Sequence, residues 1–228
     1  MTKILIVEDE ETIRKFEKIN LEMEGFEVLE AASGEEGIDL AKNENPDIVL
    51  LDVMLPGIDG FEVCRQLRAM EREVGIIMVT AKNQDIDKIE GLEAGSDDYI
   101  SKPFNPRELT LRIKSLERRL RNINEPSDDK VLEVGQFKLD KASRKFYKDG
   151  KEIDLTPTEY AVMVLFLENQ REAISRDEIL DRVWGEDFIG DSKIVDVNIR
   201  RLRTKIEADS SKPAYIKTVW GVGYIWEP

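Results

Sequence analysis

The run Ile48-Val49-Leu50-Leu51 constrains the fold more than any other feature. Neighbouring side chains of a strand point to opposite faces, so a strand apolar on both faces must be covered on both. That is the condition of a parallel sheet with helices on each side. Four further short apolar runs, at 3–7, 27–31, 76–79 and 98–100, alternate with amphipathic stretches, giving a fivefold βα pattern. Helix starts are marked by Ser33 with Glu36 three residues on, and by Asn105 followed by Pro106 and Glu108. Gly25 and Gly95 stand where helices should stop. The fold class expected for residues 1–121 is α/β, a doubly wound five-stranded parallel sheet.

From 122 to 130 the sequence NINEPSDDK loses periodicity and gains Pro, Ser and charge, which marks a linker. A second domain, α+β, is expected over 131–228. It opens on short β-prone runs with an Asp149-Gly150 turn, an antiparallel sheet. Two capped helices follow, at Thr156-Pro157-Thr158-Glu159 and Ser175-Arg176-Asp177-Glu178. A basic helix is expected from Ser192 to Glu207, and YIKTVWGVGYIWEP, with its Gly-Val-Gly bend, reads as a terminal hairpin.

The net charge is -14, and most of it is N-terminal: residues 1–121 hold 17 basic and 27 acidic side chains. Wholesale nonspecific nucleic-acid binding is therefore excluded, although a local basic patch is not. There is no histidine, so histidine-based acid–base catalysis, metal ligation and phosphohistidine chemistry are all absent, and any phosphoryl donor is another molecule. A lone Cys64 inside FEVCRQLRAM reads as a helix position. No apolar run approaches the roughly 20 residues of a membrane span and the N-terminus lacks a signal layout, so the chain is expected to stay cytoplasmic.

Ligands of an open parallel sheet bind beyond the carboxyl ends of its strands. Those ends carry Glu8 and Asp9, Asp52, Thr80 and Lys102. Converging carboxylates repel unless a cation sits among them, and a hard, oxygen-only set suits Mg²⁺. Asp52 is then the nucleophile for a phosphoryl group, with the Thr80 hydroxyl and the Lys102 ammonium to hold its oxygens. The Lys102-Pro103 bond is expected to be cis.

Glu8-Asp9, Asp52 in LLDVMLPGIDG, Thr80-Ala81-Lys82 and Lys102-Pro103-Phe104 together resemble the receiver domains of two-component response regulators. The resemblance implies a flavodoxin-like receiver that is phosphorylated on Asp52 by a sensor histidine kinase and slowly dephosphorylated by hydrolysis, without being a conventional enzyme. It implies Mg²⁺ held by Asp9, Asp52 and the backbone carbonyl of Met54, with Glu8 acting through water, and a switch formed by Thr80 and Tyr99.

In the basic helix, Val195, Ile199, Leu202 and Ile206 form one apolar stripe, leaving Lys193, Val197, Arg200 and Thr204 on the opposite face and Arg201, Arg203 and Lys205 beside it. Arginines there suit guanine edges or phosphates, and an exposed valine suits a thymine methyl. With a hairpin behind it, the arrangement is a helix-turn-helix with a wing. VDVNIRRLRTKIE and TVWGVGYIWEP resemble the recognition helix and wing of the OmpR/PhoB-type winged-helix family, and LTPTEYAVMVLF resembles its first helix. Two positions depart from many members: Trp220 replaces a basic wing residue and Asn198 a histidine. Thr218 still reaches phosphate, and Trp220 stacks or packs. The loop WGEDFIGDS, with Trp184, lies where the family contacts RNA polymerase.

The resemblance also implies a homodimer, formed on phosphorylation through the receiver's fourth helix, fifth strand and fifth helix, which sets two winged helices on paired half-sites of promoter DNA. Cross-subunit pairs are expected between Lys88, Asp97 and Asp98 and the residues Glu108, Arg112 and Arg119, around an apolar patch of Ile89, Leu92 and Ile113. Two other readings fit the residues less well. A haloacid-dehalogenase-type phosphatase needs a second acid two residues after its nucleophile, where this chain has Met54. A receiver that only dimerises would not need the complete acceptor set.

Overall fold

A computed structural model describes residues 1–70, 73–80, 94–122, 131–188 and 190–228. They form two compact units, Met1–Glu117 and Arg118–Pro228.

The first unit is built on five parallel strands, β1 (Lys3–Val7), β2 (Glu27–Ala31), β3 (Ile48–Asp52), β4 (Gly75–Thr80) and β5 (Asp98–Ser101), in the spatial order β2-β1-β3-β4-β5. Order reverses at β1, the switch point of a doubly wound sheet. Strands β3 and β4 are buried along their whole length, as their two-sided apolar sequences require. The helices are α1 (Glu11–Met23), α2 (Gly34–Glu44), α3 (Gly60–Arg68) and α4 (Pro106–Asn122). Ser33 caps α2 by accepting from the Glu36 amide, and Asn105 accepts from the Arg107 amide at the start of α4. Gly25 and Gly95 adopt positive φ, 88° and 113°, the conformation that lets glycine end a helix. Cys64 is buried in the core. Of the expected linker only Asn122 is described, as the last residue of α4; 123–130 and the segment 81–93, which carries Lys82, Lys88, Ile89 and Leu92, lie outside the described residues.

The second unit opens with an antiparallel meander, β6 (Val131–Val134), β7 (Phe137–Asp140), β8 (Lys145–Lys148) and β9 (Lys151–Ile153). Asp149 and Gly150 at the β8–β9 turn both have positive φ, 51° and 75°, as a two-residue type I′ turn demands. Then come α5 (Pro157–Glu168), α6 (Arg176–Val183) and α7 (Lys193–Ile206), with β10 (Ala173–Ser175), β11 (Ile216–Val219) and β12 (Gly223–Trp226). Thr156 and Glu159 form a reciprocal capping box on α5, and Ser175 caps α6. Strand β10, absent from the sequence expectation, pairs with β12 and completes a three-stranded sheet with the hairpin.

Candidate functional site

In the first unit four of the five expected strand-end residues, Glu8, Asp9, Asp52 and Lys102, lie together. Ligand oxygens of Glu8, Asp9 and Asp52 lie within 4.8 Å of one another, with Glu8 and Asp52 buried and Asp9 exposed. Lys102 reaches across from the end of β5, its Nζ donating to Glu8 Oε2 at 2.5 Å and Asp52 Oδ2 at 2.6 Å. The Lys102-Pro103 peptide is cis. The Met54 amide donates to Asp52 Oδ1 at 2.9 Å, which turns the loop after β3 back over the acceptor. Thr80 is buried at the end of β4. The Tyr99 ring is half-buried against the core that includes Val53, Leu55 and Met78.

Charge is out of balance here. Burial, and then the nearby Asp52, push the Glu8 carboxyl up to about 7 despite the opposing pull of Lys102. Burial would lower the Lys102 ammonium, but its hydrogen bonds to Asp52 and Glu8 outweigh that and raise it. One ammonium thus serves two buried carboxylates, and a hard divalent cation among Glu8, Asp9 and Asp52 would relieve the remaining repulsion. The donor set fits Mg²⁺.

A third buried carboxyl is one the sequence reading missed. Glu17 of α1 is 1% exposed and its Oε1 has no hydrogen-bond partner. Burial, reinforced by Glu8, pushes it up to about 8. The signal was present: Glu17 stands four residues before Leu21, in the stripe of α1 that faces the sheet.

Close packing behind Asp52 depends on one glycine. A Cβ on Gly60 would lie 2.1 Å from the Asp52 carbonyl oxygen and 2.8 Å from Val53 Cα. Gly60→Ala should therefore displace the backbone that carries the acceptor, with a cost of roughly 1 to 3 kcal/mol as in other overpacked cores. Urea unfolding followed by far-ultraviolet circular dichroism checks the cost, and phosphoryl uptake should fall with it.

Several residues of the expected dimer face make contacts within the chain. Arg112, 6% exposed, donates to Asp98 Oδ1 at 2.9 Å and to Glu108 Oε1 at 2.9 Å within its own chain. Asp97 accepts from Arg68 at 2.6 Å. Ile113 is fully buried in the receiver core, and Arg119 is buried in the second unit. Of the residues expected to pair across subunits, Asp98 and Arg112 pair with each other inside one chain, and Asp97 pairs with Arg68. Helix α4 brings Arg112 onto β5, where burial of Asp98 needs a compensating cation.

In the second unit the stripe Val195, Ile199, Leu202, Ile206 is buried, but the covered arc of α7 is wider than the stripe. Helices α5 and α6 both pack against α7, so Val197, Asn198 and Arg201 turn inward. This corrects the expected exposure of Val197. The Asn198 Nδ2 donates to the Ile194 carbonyl at 2.9 Å. Arg201 and Lys205 pair with Glu159 at 2.9 and 2.6 Å. Arg203 donates to the Ile216 carbonyl and to Thr218 Oγ1, pinning β11 to the helix. Lys193, Arg200 and Thr204 remain as an exposed ridge, with Thr218 half-buried and Trp220 exposed at the hairpin tip.

Comparisons with known proteins agree with both halves. Residues 4–114 match the family "Response regulator receiver domain", and 150–226 match "Transcriptional regulatory protein, C terminal". The chain is 42% identical over 229 residues to the alkaline phosphatase synthesis transcriptional regulatory protein PhoP of Bacillus subtilis, covering 97% of this chain and 95% of that one. It is 41% identical over 228 residues to the transcriptional regulatory protein AfsQ1 of Streptomyces coelicolor, covering 100% and 99%. Among solved structures, the OmpR/PhoB homologue DrrB of Thermotoga maritima matches with a TM-score of 0.51 at 34% identity over 100% of both chains. A RitR mutant matches with a TM-score of 0.81 at 25% identity over 100% and 99%.

A receiver joined to a DNA-binding domain defines a response regulator that acts as a transcription factor. This chain belongs to the OmpR/PhoB family of two-component transcriptional regulators. No described helix is long and apolar enough to cross a membrane.

Proposed function

We propose that Asp52 accepts a phosphoryl group from the phosphohistidine of a partner sensor kinase. The observation that carries this is the Lys102 ammonium held at 2.6 Å from Asp52 Oδ2 and 2.5 Å from Glu8 Oε2. An Asp52 oxygen attacks phosphorus, the phosphorus–nitrogen bond breaks, and the imidazole leaves with the electron pair. The product is a mixed anhydride. Glu8, Asp9, Asp52 and the Met54 carbonyl would hold Mg²⁺, which when bound would supply charge neutralisation at the phosphoryl oxygens. Lys102 follows the new negative charge, and the Thr80 hydroxyl takes a second phosphoryl oxygen. Movement of Thr80 leaves room for the Tyr99 ring to turn further inward, which carries the signal to the α4–β5 side. Hydrolysis is slow, because the chain has no histidine and Met54 stands where a general base would be needed.

The phosphorylated receivers pair as a homodimer. Two winged helices then meet adjacent half-sites of promoter DNA, and affinity rises through effective concentration without a new contact in α7. Because Arg112 is committed to Asp98 and Glu108 in its own chain, Arg112→Glu would damage the fold and is a poor probe of pairing; sedimentation of the wild type with and without phosphodonor is the direct measurement. The loop around Trp184 is the candidate contact for RNA polymerase, and the work is done in the cytoplasm, where DNA is.

DNA contact centres on Lys193, Arg200, Thr204 and Thr218. Arg200→Ala should weaken binding by about 1 to 3 kcal/mol if it reads a guanine, and should flatten the dependence of log affinity on log salt by about 0.9 if it meets phosphate. Binding titrations at several salt concentrations, with acetyl phosphate and Mg²⁺ present or omitted, test the whole reading. Affinity that is indifferent to the phosphodonor would remove phosphorylation as the control.

A further inference from the structure

Asp9 is the exposed member of the acidic cluster, and among the described residues no hydrogen bond or ion pair holds its carboxylate. Its two neighbours are aimed by other groups: Lys102 holds Glu8 and Asp52, and the Met54 amide holds Asp52 as well. The direction of the Asp9 carboxylate therefore depends on the backbone that carries it. That backbone is the loop between β1 and α1, which lacks the side-chain cap found at the next two helix starts. Ser33 caps α2 and Asp59 caps α3, but Glu10 at the start of α1 makes no such bond.

Arg14, in the first turn of α1, reaches back to this loop. Its Nη1 donates to the Glu8 carbonyl at 2.6 Å and to the Asp9 carbonyl at 3.2 Å. Those carbonyls belong to the two peptide groups on either side of the Asp9 Cα. Each peptide is planar, so holding both fixes the φ and ψ of Asp9 and with them the direction of its side chain. The guanidinium is itself anchored. Its Nε lies 3.7 Å from Glu30 Oε1, and the Arg14 side chain is only 15% exposed. The other Glu30 oxygen accepts from Lys18 at 2.5 Å. Glu30 lies on β2 opposite Ile6 of β1, so the anchor stands on the same sheet as the acidic loop.

We propose that Arg14 is a positioning residue for the divalent-cation site, setting the Asp9 carboxylate through two backbone carbonyls and not serving as a ligand itself. This rests on the reading that Glu8, Asp9 and Asp52 hold Mg²⁺. The proposal predicts a sign that charge alone does not. A guanidinium beside an acidic cluster opposes a second cation, so removing its charge alone should tighten Mg²⁺ binding. Removing a group that orders a ligand should weaken binding, by about 10- to 100-fold for the outer partners of metal ligands.

The experiment titrates the full chain with MgCl₂ by isothermal calorimetry for wild type, Arg14→Met and Arg14→Lys, and follows acetyl-phosphate uptake by intact mass over a Mg²⁺ series. Arg14→Met, close in length but without a donor, should bind Mg²⁺ about tenfold or more weakly. Its half-maximal uptake should move to correspondingly higher Mg²⁺, the deficit closing as Mg²⁺ is raised. Arg14→Lys keeps the charge but has a shorter reach to the two carbonyls, and should fall between Arg14→Met and wild type. Unchanged or tighter Mg²⁺ binding by Arg14→Met overturns the proposal. So does uptake lowered by one factor at every Mg²⁺ concentration, the mark of a residue that only supports the fold. Circular dichroism reports whether each variant folds; should Arg14→Met fail to, Arg14→Lys decides, weaker Mg²⁺ binding supporting the proposal and unchanged binding overturning it. A wild type that binds no Mg²⁺ and takes up phosphoryl groups without it removes the underlying reading of the cluster instead.

Discussion

Asp52→Ala should gain no phosphoryl group when incubated with acetyl phosphate and Mg²⁺, while the wild type gains one, as read by intact mass. Uptake should fall to background, because the replacement removes the attacking oxygens and no histidine is available as a substitute acceptor. The variant should still fold. Asp52 is one of two buried carboxylates that share a single ammonium, and its charge raises the Glu8 carboxyl. Without Asp52, Lys102 keeps Glu8 as its partner and the repulsion disappears, so stability should be equal or greater. Lys102→Ala is the informative contrast: it leaves Glu8 and Asp52 close together without their cation, so both uptake and stability should fall. A phosphoryl group on Asp52→Ala would place the acceptor elsewhere and sink the assignment.

Glu17→Leu should make the receiver markedly more stable in alkaline solution. Burial and then Glu8 push the Glu17 carboxyl from 4.5 to about 8, so between those values the folded state holds a proton that the unfolded state has released. The contribution of Glu17 to stability is greatest below about 4.5, falls as pH rises through the window, and levels off above about 8. At about 1.4 kcal/mol per unit, the full window corresponds to at most roughly 5 kcal/mol. Leucine, similar in size and never charged, should abolish that slope, and Glu17→Gln should flatten it while retaining the polar head. All three tryptophans lie in the second unit, so indole emission does not report on the receiver; hydrogen exchange of β1 and β5 amides at pH 5 and pH 8.5 does. A wild type whose exchange protection is as great at the higher pH would show that Glu17 ionises at no cost.

Much of the receiver site was legible because each part is local. A strand that ends in a carboxylate, hydroxyl or lysine presents that group at the carboxyl edge of the sheet whichever helices cover it, and the two-sided apolar strands left one sheet type open. Glu17 escaped notice because it reads as a charged residue on an amphipathic helix, and only packing shows that its position faces inward. In the second unit, periodicity gave the buried stripe of α7 correctly and its exposed face only in part.

Composition, capping residues and the 2.0 and 3.6 periodicities of strand and helix were enough to set the element order, the doubly wound sheet and the meeting of Glu8, Asp9, Asp52 and Lys102. These follow from interactions between near neighbours in sequence, or from the fixed geometry of strand ends. Which partner each charge takes was decided by tertiary structure alone. Arg112 belongs to Asp98 and Glu108, and Arg201 and Lys205 belong to Glu159, because a carboxylate carried into the interior by its strand or helix must be neutralised by whichever cation the packing brings within reach. The same packing widened the buried arc of α7 and left Trp220 in water, since the number of neighbours a helix or hairpin touches is not written in its own sequence.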